Sequence, residues 1–131
     1  SKGSIIGKLS LSITSHSNLQ SVSRPLPLRM SGKIVNYVKL SETQKKNIHI
    51  YLIEQSVKEK IWHIEPKAEI TENGTWIAYT WLGNRWQGKW NVFNVCVFAS
   101  KTELKLNDGD HPVKEKPENI GESCIKLKRR Y

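Results

Sequence analysis

Three tryptophans and two basic residues fall within ten positions of one another: Trp81, Arg85, Trp86, Lys89 and Trp90. An aromatic ring beside a guanidinium or ammonium group can stack on a planar ligand such as a nucleobase or a sugar ring. The same rings could instead pair across two strands and serve only to stabilise a hairpin. The stretch is therefore a candidate binding site with a purely structural alternative.

The C-terminal end of the chain supplies a second candidate site. Four cations lie within five positions there: Lys126, Lys128, Arg129 and Arg130. The whole chain has 21 Lys and Arg against 12 Asp and Glu, and the resulting net charge of +9 favours acidic partners such as nucleic acid. The alternation of these lysines with Ile125 and Leu127 is equally typical of a solvated edge strand that resists aggregation.

The sequence carries no pattern typical of catalysis or metal binding. It has neither a nucleophile-elbow motif nor a phosphate-cradling glycine loop, so we predict that the chain is not an enzyme and needs no cofactor. The four histidines, at positions 16, 49, 63 and 111, lie in separate segments. His49 and His63 fall on neighbouring predicted strands, but no Cys, Asp or Glu stands beside them at ligand spacing, and no metal site is predicted.

Two cysteines, Cys96 and Cys124, lie in different predicted strands and lack the paired spacing of a metal site. Their apolar neighbours favour free, buried thiols, which would suit a cytoplasmic protein slightly better. A bridge between the two strands is the alternative, and it would indicate an oxidising compartment.

Alternation of apolar and polar residues with a period of two is the dominant pattern in the chain, and it predicts strands. Asn73-Gly74 is the strongest turn signal, because this pair tolerates the positive φ angles of a tight hairpin. The segment from Leu40 to Asn47 could be a loop or a single helical turn. Trp62 and Trp76 are predicted to lie in the core. The seven predicted strands cover residues 9–14, 28–37, 48–53, 61–64, 75–81, 90–99 and 123–128.

Seven short strands with turn signals between them predict an all-β fold, namely two packed antiparallel sheets. A small closed β-barrel is the alternative.

The length suits one domain, residues 1–131, with a basic extension at about 101–131. No apolar run reaches the roughly 20 residues of a membrane span. The only methionine is Met30, inside a predicted strand, so we expect the sequence to be a piece of a longer protein.

The residues from Leu11 to Ser15, the crossover Arg24-Pro25-Leu26 and the strand from Met30 to Ile34 follow one another in a characteristic order. They are joined by the later elements Ile48–Ile53, Trp62, Asn73-Gly74-Thr75-Trp76, Gly83 and Val92–Phe98. This order resembles that of bacterial immunoglobulin-like accessory domains. The match covers roughly residues 9–100, and a basic, proline-containing tail then replaces the quick end expected of such domains. The resemblance implies an antiparallel immunoglobulin-like β-sandwich of about seven strands and carries over no catalytic residue.

These observations predict a non-catalytic binding or scaffolding module of a larger protein. It would recognise a protein partner or position a neighbouring domain through its loops or a sheet face. A nucleic-acid-binding domain that uses a basic surface and exposed tryptophans is the alternative. Carbohydrate binding on a tryptophan platform is a third, weaker hypothesis.

Overall fold

The structure is a computed structural model that describes residues 7–23, 27–83, 90–106 and 111–130. Within these ranges the chain forms ten strands, a short α-helix (α1, Glu42–Lys46) and a 3-10 turn at Tyr37–Lys39. None of the helices in the described part is long and apolar enough to cross a membrane. The strands are β1 (Leu11–Ile13), β2 (Gln20–Val22), β3 (Leu28–Ile34), β4 (His49–Ser56), β5 (Trp62–Ile64), β6 (Glu69–Ile70), β7 (Thr75–Thr80), β8 (Val92–Ser100), β9 (Pro112–Val113) and β10 (Gly121–Arg129).

The strands form two sheets. One has four strands in the order β1-β3-β7-β6, and the other has six in the order β2-β10-β8-β4-β5-β9. Neighbouring strands are antiparallel, except that β2 runs parallel to β10. The predicted all-β sandwich is confirmed, and the alternative of a closed barrel is wrong because each sheet ends in edge strands.

Each of the seven predicted strands corresponds to a strand of the structure. The three that were not predicted, β2, β6 and β9, have only two or three residues each, too few for a period of two to be visible. The Asn73-Gly74 turn joins β6 to β7, with Gly74 at a φ of 85°. The segment from Leu40 to Asn47, for which the sequence allows a loop or a single helical turn, contains α1. This helix begins with a reciprocal capping box between Ser41 and Gln44.

The main core lies between the two sheets. Trp76 is fully buried there, as predicted, and lies opposite Gly32 of the neighbouring strand. Its indole N–H donates a hydrogen bond of 3.0 Å to the carbonyl oxygen of Ser12. The inner faces of both sheets supply the other buried side chains, which include Met30, Ile34, Ala78, Ile50, Leu52, Val95, Val97 and Leu127.

A second apolar cluster covers the outer face of the six-stranded sheet. Tyr51, Ile53, Cys96 and Phe98 point away from the main core and pack with Leu104, Leu106 and Val113. The backbone N–H of Leu104 donates to the Tyr51 hydroxyl at 2.8 Å. The segment after β8, which the sequence assigned to the basic extension, therefore includes residues that pack on this sheet. Trp62 is half-buried in the same cluster, so the prediction that it lies in the core between the sheets is wrong.

Cys96 and Cys124 form a disulfide, so the favoured prediction of free thiols is wrong. The two residues are directly opposite each other in the β8–β10 ladder, with their Cα atoms 4.1 Å apart. Cys96 is buried and Cys124 is exposed. The two cysteines are 28 positions apart in sequence, and their pairing depends on the register between β8 and β10. The local apolar pattern does not specify that register.

Candidate functional site

The outer face of the four-stranded sheet presents exposed aromatic side chains. Along β7, Trp76, Ala78 and Thr80 point into the core, so the alternating residues point outward. Tyr79 is 49% exposed, and Trp81, which directly follows the strand, is 47% exposed. Ile77, Tyr79 and Trp81 thus form a row on one surface, which we call the aromatic strip.

Basic and polar side chains of neighbouring strands border the aromatic strip. Arg29 of β3 is directly opposite Tyr79, and Ser31 is opposite Ile77. Lys33, two residues further along β3, donates from Nζ to Thr75 Oγ1 at 2.7 Å. On the other side of β7, Glu69 is opposite Ile77. The open face therefore combines aromatic rings with a guanidinium group directly across from one of them.

Buried polar groups hold the backbone at the end of the strip. The Glu65 carboxylate, 8% exposed as a residue, accepts a hydrogen bond of 2.7 Å from the backbone N–H of Trp81. The next residue, Leu82, is fully buried with a φ of 48°, and its N–H donates to the Thr80 hydroxyl at 3.2 Å. A positive φ is costly for a side chain such as leucine, so these contacts must offset that cost.

Arg129 also contacts this turn, which corrects its predicted role as an exposed phosphate-binding residue. It is only 1% exposed, and its Nη1 donates to the carbonyl oxygen of Leu82 at 2.8 Å. The reason is the alternation of β10: Leu127 and Arg129 point toward the core, whereas Lys126 and Lys128 point outward. Arg129 is therefore a structural residue behind the aromatic strip.

The other C-terminal cations lie on the outer side of the six-stranded sheet. Lys126 is opposite Asn94, and Lys128 is opposite Val92. Arg130 is exposed and donates from Nε to Ser21 Oγ at 3.2 Å. We call Lys126, Lys128 and Arg130 the basic rim.

The predicted tryptophan cluster is divided between the two sheets in the part that the structure describes. Trp81 follows β7 of the four-stranded sheet, whereas Trp90 precedes β8 of the six-stranded sheet and is 67% exposed. Arg85, Trp86 and Lys89, the remaining members of the predicted site, lie outside the described residues.

His49 and His63 lie on neighbouring strands, as predicted, but at distant positions along them. His63 is opposite Glu54, five positions along β4 from His49, and a strand rises about 3.4 Å per residue, so some 17 Å separate the two positions. Burial, and to a smaller extent the nearby Lys67, lowers the pKa of His49. Burial likewise lowers the pKa of His16.

An open cleft of about 580 Å³ lies at the other end of the four-stranded sheet, beside α1 and the β6–β7 turn. Glu42, Lys45, Lys46 and Glu72 contribute to its walls, and Lys45 Nζ lies 5.3 Å from the centre of the Tyr37 ring. Burial, with a contribution from Glu42, raises the pKa of Tyr37. Since this cleft lies beyond the start of β7, it is separate from Trp81 at the strand's other end.

Sequence reasoning missed Tyr79, Arg29 and Glu65 as parts of the candidate site. The alternation from Ile77 through Tyr79 to Trp81 was visible in the sequence and could have identified Tyr79. The positions of Arg29 and Glu65 depend on pairing between distant segments. Comparison of the chain with protein-family models, with curated proteins and with solved structures found no match.

Proposed function

We propose that this domain is a non-catalytic binding module that recognises a protein partner, or a neighbouring domain, through the aromatic strip. The observation that carries the proposal is the contrast between the two outer faces. The six-stranded sheet has an apolar cluster covered by the chain's own Leu104, Leu106 and Val113. On the four-stranded sheet, Tyr79 and Trp81 remain about half exposed.

The residue types of the open face suit protein recognition. Tyrosine, tryptophan and arginine are the residues most enriched among those that dominate the energy of protein interfaces. The strip and the strand beside it bring one of each together, since Arg29 of β3 is directly opposite Tyr79 and Trp81 follows Tyr79 by two positions. The backbone of Tyr79 is held in a sheet, and the backbone of Trp81 is held by its hydrogen bond to Glu65. Binding therefore costs less conformational entropy at these two residues.

The order of the strands supports an immunoglobulin-like assignment within this proposal. Constant-type immunoglobulin domains place strands A, B, E and D in one sheet and C, F and G in the other. The order β1-β3-β7-β6 of the four-stranded sheet corresponds to A, B, E and D. The order β4-β8-β10 within the six-stranded sheet corresponds to C, F and G. The disulfide differs, because antibody domains link the two sheets whereas Cys96–Cys124 links adjacent strands of one sheet.

Site-specific photo-cross-linking tests the proposal. A photoreactive phenylalanine analogue at position 79 should capture a specific partner in cells that express the full protein. The same analogue at Lys8, an exposed position outside the strip, is the control. The captured partner, or a neighbouring domain identified in this way, is then purified, and its affinity for the isolated chain is measured.

We expect Trp81→Ala and Tyr79→Ala each to weaken that affinity about 30-fold, the equivalent of about 2 kcal/mol at an interface hot spot. Lys126→Ala on the opposite sheet should leave it within about twofold. The proposal would be contradicted if cross-links formed equally well from positions 79 and 8. It would also be contradicted if neither Trp81→Ala nor Tyr79→Ala changed the affinity.

The basic rim favours a second candidate function, nucleic-acid binding. Lys126 and Lys128 point to the same side of β10, and Arg130 follows them, so three cations could neutralise phosphates along one strand. Trp90 is the most exposed of the large apolar side chains in the described residues and precedes β8 of the same sheet. An exposed ring beside such cations could stack on a base.

Fluorescence anisotropy with labelled single-stranded and double-stranded oligonucleotides at about 50 and 200 mM salt tests this second function. Each cation that contacts a phosphate of duplex DNA contributes about −0.9 to the slope of log K against log salt concentration. The double variant Lys126→Ala/Lys128→Ala should therefore flatten the slope by up to about 2 units, whereas Tyr79→Ala should not. If the wild-type chain shows no binding at about 50 mM salt, the nucleic-acid function is excluded.

A further inference from the structure

The Cys96–Cys124 disulfide lies beside a carboxylate on the outer face of the six-stranded sheet. Glu122 is two positions before Cys124 on β10, so both side chains point to the same face. One ligand atom from each of Cys96, Glu122 and Cys124 lies within 4.8 Å of the other two. Two of the three atoms are the bonded sulfurs, so the distance places the Glu122 carboxylate close enough to share one cation with both of them once the bond is reduced and the side chains rotate.

We propose that reduction of this disulfide converts the three residues into a binding site for one thiophilic divalent cation of the zinc type. Two thiolates and a carboxylate are among the ligands that Zn²⁺ uses in proteins, and sites with three protein ligands keep a fourth position for water or another ligand. In the oxidised chain the sulfur atoms are bonded to each other and cannot act as thiolates, so the oxidation state controls the site.

The surrounding structure can hold the two cysteines in place without the disulfide. β8 and β10 are paired over eight residue positions, from Gly121–Ala99 to Lys128–Val92. Leu127 and Val95, from the same two strands, are fully buried in the main core. Backbone hydrogen bonds and apolar packing therefore align Cys96 with Cys124 independently of the bond between their sulfur atoms.

The exposed cysteine gives a reductant access to the bond. A thiolate of an external dithiol attacks Cys124 Sγ, forms a mixed disulfide and releases Cys96 as a thiolate. The second thiolate of the dithiol then attacks its own bridged sulfur and releases Cys124. Two electrons pass from the dithiol, which becomes a disulfide, to the protein, which becomes a dithiol. Water protonates the two released thiolates in part, and the incoming cation displaces these protons, which return to the water.

Lys116 competes with the cation for Glu122. Its Nζ lies 3.1 Å from each carboxylate oxygen of Glu122 and 5.4 Å from the centre of the Trp62 ring. A cation bound to Glu122 must displace or share this ammonium group, which carries the same sign of charge. Removal of the Lys116 charge should therefore strengthen cation binding.

Titration with Co²⁺, a spectroscopic probe for zinc sites, tests the proposal. The full chain is reduced, freed of reductant without oxygen, and titrated while the thiolate-to-cobalt charge-transfer absorption is recorded. Far-UV circular dichroism of the same sample reports whether the sheets persist. We expect one Co²⁺ per reduced chain and none per oxidised chain. Added Zn²⁺ should displace the Co²⁺ and remove the absorption.

Four variants make the expectation specific to these residues. Cys124→Ser should abolish the charge-transfer absorption, and Glu122→Gln should weaken Co²⁺ binding at least tenfold. Lys116→Gln should strengthen binding several-fold, and Glu118→Gln, at another exposed carboxylate, should not change it. The proposal is overturned if the folded, reduced chain gives no absorption, if reduction unfolds the sheets, or if Glu122→Gln binds as tightly as the wild type.

Discussion

The Glu65 carboxylate accepts a hydrogen bond of 2.7 Å from the backbone N–H of Trp81. Glu65 follows β5 of the six-stranded sheet and Trp81 follows β7 of the four-stranded sheet, so this bond joins the two layers at one end of the sandwich. It also fixes the backbone of an aromatic residue that remains half exposed. A buried acid on one sheet thereby positions a surface ring on the other.

Glu65→Ala should lower the free energy of unfolding by about 1–3 kcal/mol, because it leaves the partly buried Trp81 N–H without its acceptor. Glu65→Gln keeps an acceptor oxygen and should cost less. Urea denaturation monitored by tryptophan fluorescence measures both changes. Glu69→Ala is the matched control, since Glu69 is an exposed acid of the same region, and its effect should stay within about 0.5 kcal/mol. Equal effects of Glu65→Ala and Glu69→Ala would show that the hydrogen bond does not stabilise the fold.

Gly32 is required because the neighbouring strand and the Trp76 indole pass too close for a side chain. A Cβ atom there would lie 1.8 Å from the Ser12 carbonyl oxygen and 2.8 Å from Trp76 Nε1. Gly32→Ala should therefore break the Trp76–Ser12 hydrogen bond or push β1 away, and we expect a loss of at least about 2 kcal/mol. Thermal unfolding of the purified variant gives the measurement.

Gly7→Ala is the control for that substitution, because among the described residues no heavy atom beyond Gly7 and its chain neighbours lies within 4 Å of the Cβ position there. Its unfolding temperature should match that of the wild type. If Gly32→Ala also unfolded at the wild-type temperature, that result would contradict the close packing of β1, β3 and Trp76.

The sequence predicts the strands well because alternation is a local property. The buried Trp76 and the outward Tyr79 follow from one run of alternating residues on β7. The disulfide could not be predicted in the same way, since it depends on the register between β8 and β10. Glu65 was missed for a similar reason, because its hydrogen-bond partner comes from the other sheet.

The basic tail shows how a local pattern can be interpreted wrongly. Four cations close together suggested one charged surface, but strand alternation places Arg129 on the inner side and Lys126 and Lys128 on the outer side. The alternation itself was visible in the sequence, where Leu127 and Arg129 are two positions apart. What was not visible is the Leu82 carbonyl that accepts from the buried guanidinium.

Arg129→Leu should destabilise the fold by roughly 2–4 kcal/mol, because it removes a buried charged donor from the Leu82 carbonyl and disturbs the residues packed around it. Arg130→Leu, the exposed neighbour, should change stability by less than about 0.5 kcal/mol. Urea midpoints of the two variants provide the comparison. A surface role for Arg129 would instead give two similarly stable proteins, and that outcome would contradict the buried position.

His49 should make the fold less stable in mild acid. Burial, and secondarily Lys67, lowers its pKa in the folded chain below the ordinary value of 6.5. The unfolded chain therefore takes up a proton first as the pH falls through about 6.5, and stability decreases until the pH passes the lower, folded pKa. His16 acts in the same direction, because burial lowers its pKa as well. The hydrogen bond from Lys67 is the main cause that lowers the pKa of Glu103 below its ordinary value of 4.5. Glu103 therefore titrates at more acidic pH than the two histidines and does not contribute to this decrease in stability.

Urea midpoints measured between about pH 7.5 and 5.5 should fall with acidification in the wild type, and His49→Asn should reduce that fall. The double variant His16→Asn/His49→Asn should reduce it further, since it removes both histidines whose pKa values burial lowers. NMR titration of the His49 ring in the folded wild type measures the same shift directly. A ring that titrates at or above 6.5, together with a pH dependence that His49→Asn leaves unchanged, would show that proton binding at this position is not linked to folding.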